Sequence, residues 1–242
     1  MKPFLLLQLR PEDEAAENEY AAFLKFSGLD SRRLKRARME ISGVPEVELD
    51  DYSGIIVGGG PSNVSDNDKN PEEVRFEPEL YRLLERVDRY DFPFLGACYG
   101  IGLLASYLGG EVSTQKYGEG VGAVDIKLTE EGIKDPLLAG IDSSFRAFGG
   151  HKEACQGLPS DATLLASSST CPIHMIRYKH NIYATQFHPE LDADGLALRI
   201  KVYKHAGYFD PEEAHKLISN SSKENVEEPV KILHNFVQRY SR

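Results

Sequence analysis

Cysteine is scarce in this sequence, and the three present, Cys98, Cys155 and Cys171, are odd in number and widely spaced. That excludes a disulfide framework and offers no paired-ligand zinc knuckle, so no metal site is expected and a reducing compartment suits the chain. Long apolar runs are missing too. No stretch approaches the roughly 20 residues that a bilayer-crossing helix needs. The short apolar run at residues 4–9 gives way to the acidic stretch 12–19 without a cleavage-site region, and reads as a first strand rather than a signal peptide. Positive charge is in deficit. With 28 Lys and Arg against 38 Asp and Glu, the formal net charge is −10, which repels nucleic acid and anionic membrane over most of the surface. The expectation is a cytoplasmic protein with neither as partner. One basic cluster dissents, Arg32, Arg33, Lys35, Arg36 and Arg38. It lies just before a strand-like segment and reads as a solvated face of a helix or loop.

What remains is the composition of a soluble globular chain, 41% hydrophobic and 27% charged over 242 residues, enough for a full core. We read residues 1–242 as a single domain, with 199–242 as a helical C-terminal extension. The first half alternates strand and helix signals, the pattern of a parallel sheet covered on both faces. An apolar strand at 4–9 is followed by a helix bracketed by Pro11, the acids Glu12, Asp13 and Glu14, and Gly28, each suited to its place at a helix end. Further strands are expected near 37–41, at 51–57 and at 92–95, with a helix over 78–90. Beyond a helix at 99–108 the period shortens to strand-like runs at 112–114, 121–128, 145–148, 163–167, 173–178 and 182–187, some of which should pair antiparallel. Helices return at 196–206, 211–218 and 230–240. The polar stretch 219–228 reads as a mobile connection.

Two stretches carry chemistry. Gly96-Ala97-Cys98-Tyr99-Gly100 stands between a strand-like run and a helix-like run, so Cys98 is lifted onto a strand-to-helix corner where small neighbours permit a tight, strained turn. A helix amino terminus and an adjacent imidazole are the usual means of raising a thiolate fraction. The corner supplies the first, and Gln186-Phe187-His188-Pro189-Glu190 offers the second. Residues two apart on an extended chain point to the same side, so Glu190 can hold the His188 ring in one tautomer. Pro189 between them suits a strand end at the rim of a site. The turn Gly58-Gly59-Gly60 suits an oxyanion partner, since a backbone amide approaches a substrate closely only where no Cβ intervenes, and the Tyr99 amide is the second candidate donor. No G-x-G-x-x-G opens a helix there, so a phosphate cradle is the weaker reading. His174, His180, His205, His215 and His234 show no partner pattern and read as surface or packing residues. Tyr107, Tyr117, Tyr203 and Phe209 read as core.

Gly-Gly-Pro after a strand, Gly-x-Cys-Tyr-Gly at an elbow and Gln-Phe-His-Pro-Glu near the end, in that order over about residues 3–198, resemble the class I glutamine amidotransferases, in particular the stand-alone relatives of the glutaminase domain of GMP synthase. The resemblance implies a flavodoxin-like or Rossmann-like α/β fold, with Cys98 as nucleophile, His188 as base and Glu190 as its orienting acid. It implies an oxyanion hole from Gly59 or Gly60 with Tyr99. Gly150-His151-Lys152-Glu153 looks like the family's His-x-Asp segment beside the substrate pocket, with Glu153 one carbon longer than usual. Gly102 stands where the family's Cys-x-Gly-x-Gln pattern has a glutamine that helps to hold the substrate head group. No Ser-Gly-Gly-x-Asp-Ser nucleotide loop is present, so an ammonia acceptor belongs on another chain.

The leading expectation is therefore a glutaminase or amidotransferase, needing no cofactor, that releases ammonia from glutamine through a cysteine thioester. Gly102 and the missing synthetase motivate two alternatives. One is a γ-glutamyl peptidase using the same triad, and the other is a regulatory protein that keeps the fold without turnover. A panel of γ-glutamyl compounds separates the first two, and the titration of the Cys98 thiol separates the third.

Overall fold

The computed structural model describes residues 2–242 and consists of a nine-stranded sheet flanked by helices. In chain order the elements are β1 (Phe4–Gln8), α1 (Asp13–Ser27), β2 (Leu34–Arg38), the short α2 (Met39–Ser42), β3 (Gly54–Val57), α3 (Pro71–Arg89), β4 (Phe94–Ala97) and α4 (Tyr99–Tyr107). There follow β5 (Val112–Ser113), β6 (Glu119–Leu128), α5 (Glu130–Lys134), β7 (Ser144–His151), β8 (Ala154–Cys155), β9 (Ala162–Ser167), β10 (Met175–Tyr178) and β11 (Ile182–Thr185). Three helices finish the chain: α6 (Ala193–Val202), α7 (Ala214–Ser221) and α8 (Glu227–Tyr240). The large sheet has the order β2-β1-β3-β4-β11-β10-β9-β6-β7, while β5 and β8 form a separate antiparallel pair. From β2 to β11 neighbouring strands run parallel, and from β11 to β7 they run antiparallel.

The inner parallel strands β1, β3, β4 and β11 are buried along their whole length, as expected where helices cover both faces. Alternation sorts β1 between two cores. Leu5 and Leu7 face the side of α3 and α4 with Phe76, Leu80 and Leu104, whereas Phe4 and Leu6 face the side of α1 and α8 with Phe23, Leu233 and Phe236. Each such fully buried side chain contributes about 1.5–3 kcal/mol relative to exposure. Helix α8 does not stand apart, since the Phe236 ring lies 5.9 Å from that of Phe4.

Four expectations change. The second strand is β2 at Leu34–Arg38, with a helical turn over Met39–Ser42, where 37–41 read as strand. Its basic residues obscured it. Lys35, Arg36 and Arg38 lie on the edge strand itself, where charged side chains discourage pairing with another chain. Arg36 is paired with Glu17, and Arg38 with Asp13 and Glu40, so this is a salt-bridged edge rather than a free basic patch. Helix α3 begins at Pro71, seven residues before the expected start, and carries Pro78 inside it. Its true start is marked by a capping box, in which the Asn70 side chain accepts from the Glu73 amide at 2.8 Å and the Glu73 carboxylate accepts from the Asn70 amide at 2.8 Å. Finally, 219–228 is anchored: Glu224 accepts two hydrogen bonds from Arg146, at 2.8 and 2.9 Å, and Glu228 accepts from the Asp142 amide.

The chain runs outward from β1 to β2 and then returns to β3 on the other side, so the strand order reverses between β1 and β3. The crevice beyond the carboxyl ends of the strands at such a reversal is where α/β sheets place ligands. Arg10 follows β1, Gly58-Gly59-Gly60 follows β3, Cys98 follows β4 and His188 follows β11.

Candidate active site

Cys98 occupies the corner between β4 and α4 with φ 53° and ψ −92°, a strained backbone for a residue with a Cβ. The turn closes because its neighbours are small: a Cβ on Gly96 would lie 2.9 Å from the Gly100 backbone. The Cys98 amide donates to the Thr185 carbonyl at 2.7 Å, which ties the corner to the end of β11. On the other side the His188 amide donates to the Phe148 carbonyl at 3.0 Å. The structure thus brings Cys98 and His188 into side-chain hydrogen-bonding reach of each other although ninety residues separate them.

The His188 ring is held from behind by Glu190, whose Oε1 lies 2.8 Å from Nδ1. That leaves Nε2 for the thiol. Burial is the largest influence on the imidazole and pushes its pKa down, but the Glu190 carboxylate and the Cys98 sulfur outweigh it, and the net direction is up. Glu190 is fully buried. Burial pushes its carboxyl up first, yet His188 and Arg199 together hold it well below the usual carboxylate range.

Sequence reasoning missed what stands behind the triad. Arg199, on α6, reaches Glu190 Oε1 with Nη2 at 2.8 Å and lies 3.1 Å from His188 Nδ1 with Nη1. Its Nη2 is also 3.5 Å from Glu19 Oε1, and Glu19 in turn accepts from Arg10 Nε at 3.0 Å. Positive and negative groups alternate along Arg10, Glu19, Arg199 and Glu190, all at most 6% exposed, so each buried charge meets an opposite one. Only pairing of this kind makes such burial tolerable. The signal available in sequence was weak, because single charges on α1 and α6 look like ordinary solvent-facing residues.

The glycine turn lies against the same groups. A Cβ on Gly59 would stand 2.5 Å from His188 Cε1 and 3.2 Å from Cys98 Cβ, and one on Gly60 would stand 2.4 Å from the Leu9 carbonyl oxygen. Tyr99 opens α4, so its amide is among the first-turn donors without an intrahelical partner. Its side chain points away, donating to Glu77 Oε1 at 3.0 Å.

Gly102 and His151 behave differently from a simple head-group clamp. The Glu153 carboxylate fills the space in front of Gly102, its Oε1 only 2.8 Å from where a Cβ would be. It accepts from the Val64 and Ser65 amides, each at 2.9 Å, and from the Ser65 hydroxyl at 2.8 Å. Burial, the largest influence, raises its pKa against those donors. His151 borders a small pocket with Cys98, Asn63 and Gln186, but Nδ1 donates to the Glu153 carbonyl at 2.8 Å and Nε2 lies 3.1 Å from Glu119 Oε2, so neither nitrogen is left for a substrate. His174, expected at the surface or in packing, is buried with Nε2 2.9 Å from the same Glu119 oxygen. With Cys171 the two imidazoles bring three donor atoms within 4.8 Å of one another, a donor set for a metal ion in which Glu119 already supplies the counter-charge. Burial pushes the thiols of Cys155 and Cys171 up to about 12 and about 11. Tyr203 and Phe209, read as core from sequence, do pack there, Tyr203 buried and Phe209 against the cluster of Phe148, Leu191 and Leu196, and both also line a pocket beside Cys98.

Residues 28–195 match the family described as glutamine amidotransferase class-I. A glutamine-hydrolyzing GMP synthase subunit of Pyrococcus abyssi is 31% identical over 169 residues, covering 69% of this chain and 80% of its own. The protein of the same name from Thermoplasma volcanium is 30% identical over 194 residues, covering 78% and 89%. Among solved structures, a glutamine amidotransferase from Thermotoga maritima superposes with a TM-score of 0.78 over 99% of this chain and 98% of its own, at 20% identity. That likeness establishes the flavodoxin-like architecture. No described helix is long and apolar enough to cross a membrane. An elbow cysteine within reach of an acid-held histidine, inside a sequence that matches over more than half its length, makes this chain a member of the class-I glutamine amidotransferase family, whose chemistry depends on cysteine.

Proposed function

We propose that the protein hydrolyses the γ-carboxamide of glutamine through a thioester on Cys98. The sulfur attacks the carbonyl carbon while His188 takes the thiol proton and returns it to the departing ammonia. Glu190 accepts the Nδ1 proton's hydrogen bond and keeps Nε2 directed at the sulfur. Developing negative charge on the carbonyl oxygen is met by backbone amides of the Gly59-Gly60 turn and of Tyr99, whose donors are fixed before reaction and need no reorganisation. Water, activated by the same imidazole, then releases glutamate. The head group enters on the side of Asn63, Glu153 and Gln186, where Glu153 takes the space that a longer residue at 102 would occupy.

The observation that carries this reading is the mutual reach of Cys98 and His188 with the far side of the ring bound to Glu190. Relatives named as one subunit of a glutamine-hydrolyzing GMP synthase suggest that the ammonia is destined for a separate synthetase chain. A reducing, cytoplasmic setting suits a reactive thiol. Intact-mass measurement after mixing with glutamine should find a glutamyl adduct on Cys98, and Cys98→Ala should release no ammonia above background. Equal ammonia release by wild type and Cys98→Ala, with synthetase candidates present, overturns the reading.

A further inference from the structure

Two pockets open from Cys98. One is small, is bordered by the polar side chains of Ser62, Asn63, Glu153 and Gln186, and does not include His188. The other lies on the His188 side, holds a cavity of about 60 Å³ that opens to solvent, and is walled by Val121, Leu191, Leu196, Ile200, Tyr208 and Phe209. In a cysteine acyl transfer the imidazole protonates the leaving amine, so the leaving group sits on the side of the base and the acyl group on the other. Ammonia has no side chain to place against six apolar or aromatic ones. It is the apolar lining that suits an apolar group on the departing amine.

A charge completes the pattern. Arg10, 4% exposed, lines the same apolar pocket. Its Nε is bound to Glu19 at 3.0 Å, while Nη2 reaches to 3.2 Å from the place of a Cβ on Gly59, a point also 3.2 Å from Cys98 Cβ. A guanidinium edge next to an apolar wall fits a carboxylate attached to an apolar side chain. The aromatic side is closed by Tyr208, whose hydroxyl donates to the Pro61 carbonyl at 3.0 Å and whose ring lies 4.4 Å from Lys152 Nζ.

We propose that the preferred substrate is a γ-glutamyl dipeptide whose second residue has a medium-sized apolar side chain, with Arg10 holding that residue's carboxylate. This rests on the thioester chemistry above and changes only the leaving group. The Cys98 sulfur forms a bond to the γ-carbonyl carbon as the C–N bond breaks, and the thiol proton passes through His188 to the amine of the departing amino acid. Water then supplies hydroxide to the acyl carbon and a proton to the sulfur, yielding glutamate.

The test is a substrate panel on the wild-type protein: glutamine, γ-Glu-Leu, γ-Glu-Asp and γ-glutamyl isoamylamide, which keeps the apolar group and lacks the carboxylate. The expected kcat/KM for γ-Glu-Leu is tenfold or more above that for glutamine, with losses of about tenfold for each of the other two. In Phe209→Ala the ratio of γ-Glu-Leu to glutamine should narrow several-fold. Glutamine turned over as well as γ-Glu-Leu, or indifference to the second residue's charge, overturns the proposal and leaves the thioester chemistry standing. Absence of a Cys98 thioester from every compound, glutamine included, overturns both.

Discussion

The molecule contains two buried carboxylate–imidazole clusters that look alike as lists of residues. In one, Glu190 lies 2.8 Å from His188, and in the other Glu119 lies 3.1 Å from His151 and 2.9 Å from His174. What separates them is the second ring nitrogen. Nε2 of His188 faces a thiol at the mouth of a pocket, whereas both nitrogens of His151 are engaged and Glu119 takes further hydrogen bonds from Ser168 and Thr170. The first cluster keeps one proton position free to move. In the second, Glu119 ties β6 to the segments around residues 151 and 174, while Nδ1 of His174 is buried without a hydrogen-bond partner among the described residues. Burial and charge pairing alone therefore do not mark a catalytic group; a ring nitrogen directed at a thiol in an open pocket sets His188 apart.

The comparison breaks most visibly at the triad. His188→Asn should lower kcat for ammonia release by about 10³-fold or more with the fold intact, as judged by unchanged circular dichroism. Glu190→Gln should cost roughly 10²–10⁴-fold, because an amide no longer enforces the tautomer and leaves Arg199 only the more distant Glu19 as counter-charge. In the second cluster the loss should appear as stability. Glu119→Gln is expected to remove about 3–5 kcal/mol from unfolding in urea while kcat changes less than about tenfold.

A pH series sharpens the contrast. Glu119 is held well below the usual carboxylate range: burial opposes ionisation, and hydrogen bonds from His151, His174 and Thr170 outweigh it. A depressed folded-state pKa contributes stability above the unfolded value that is lost as pH falls toward the folded one. Wild type should accordingly lose stability below about pH 4, and Glu119→Gln should show a shallower acid limb. The raised His188 acts in the opposite sense, its contribution being complete below the ordinary histidine value and lost as pH rises through the folded one. The smallest effect is expected at the head group. Gly102→Ala places a methyl 2.8 Å from Glu153 Oε1 and should raise KM several-fold with kcat little changed.

Much of this was readable from the chain. The elbow was legible because glycines flank a cysteine between two patterned runs, and Glu190 because a spacing of two fixes its side. The Arg10–Glu19–Arg199 chain was not. Glu19 and Arg199 sit on helices whose other charges face water, Arg10 lies in the loop after β1, and only the fold brings them together. The edge strand β2 was hidden for a related reason: its role as an edge selects Lys35, Arg36 and Arg38, which erase the apolar alternation that announces a strand. Glu153 and Gly102 look like two unrelated departures until the structure places one in the space left by the other.

The backbone angles of Cys98 set the fold and its chemistry at odds. A φ of 53° strains any residue with a Cβ, and such a corner costs on the order of 1–3 kcal/mol that glycine would not incur. Cys98→Gly should then melt above the wild type, and Cys98→Ala should not. If so, evolution toward maximal thermal endurance alone would erase this sulfur first, so a cysteine kept at that corner is what the proposed thioester chemistry requires at the expense of durability.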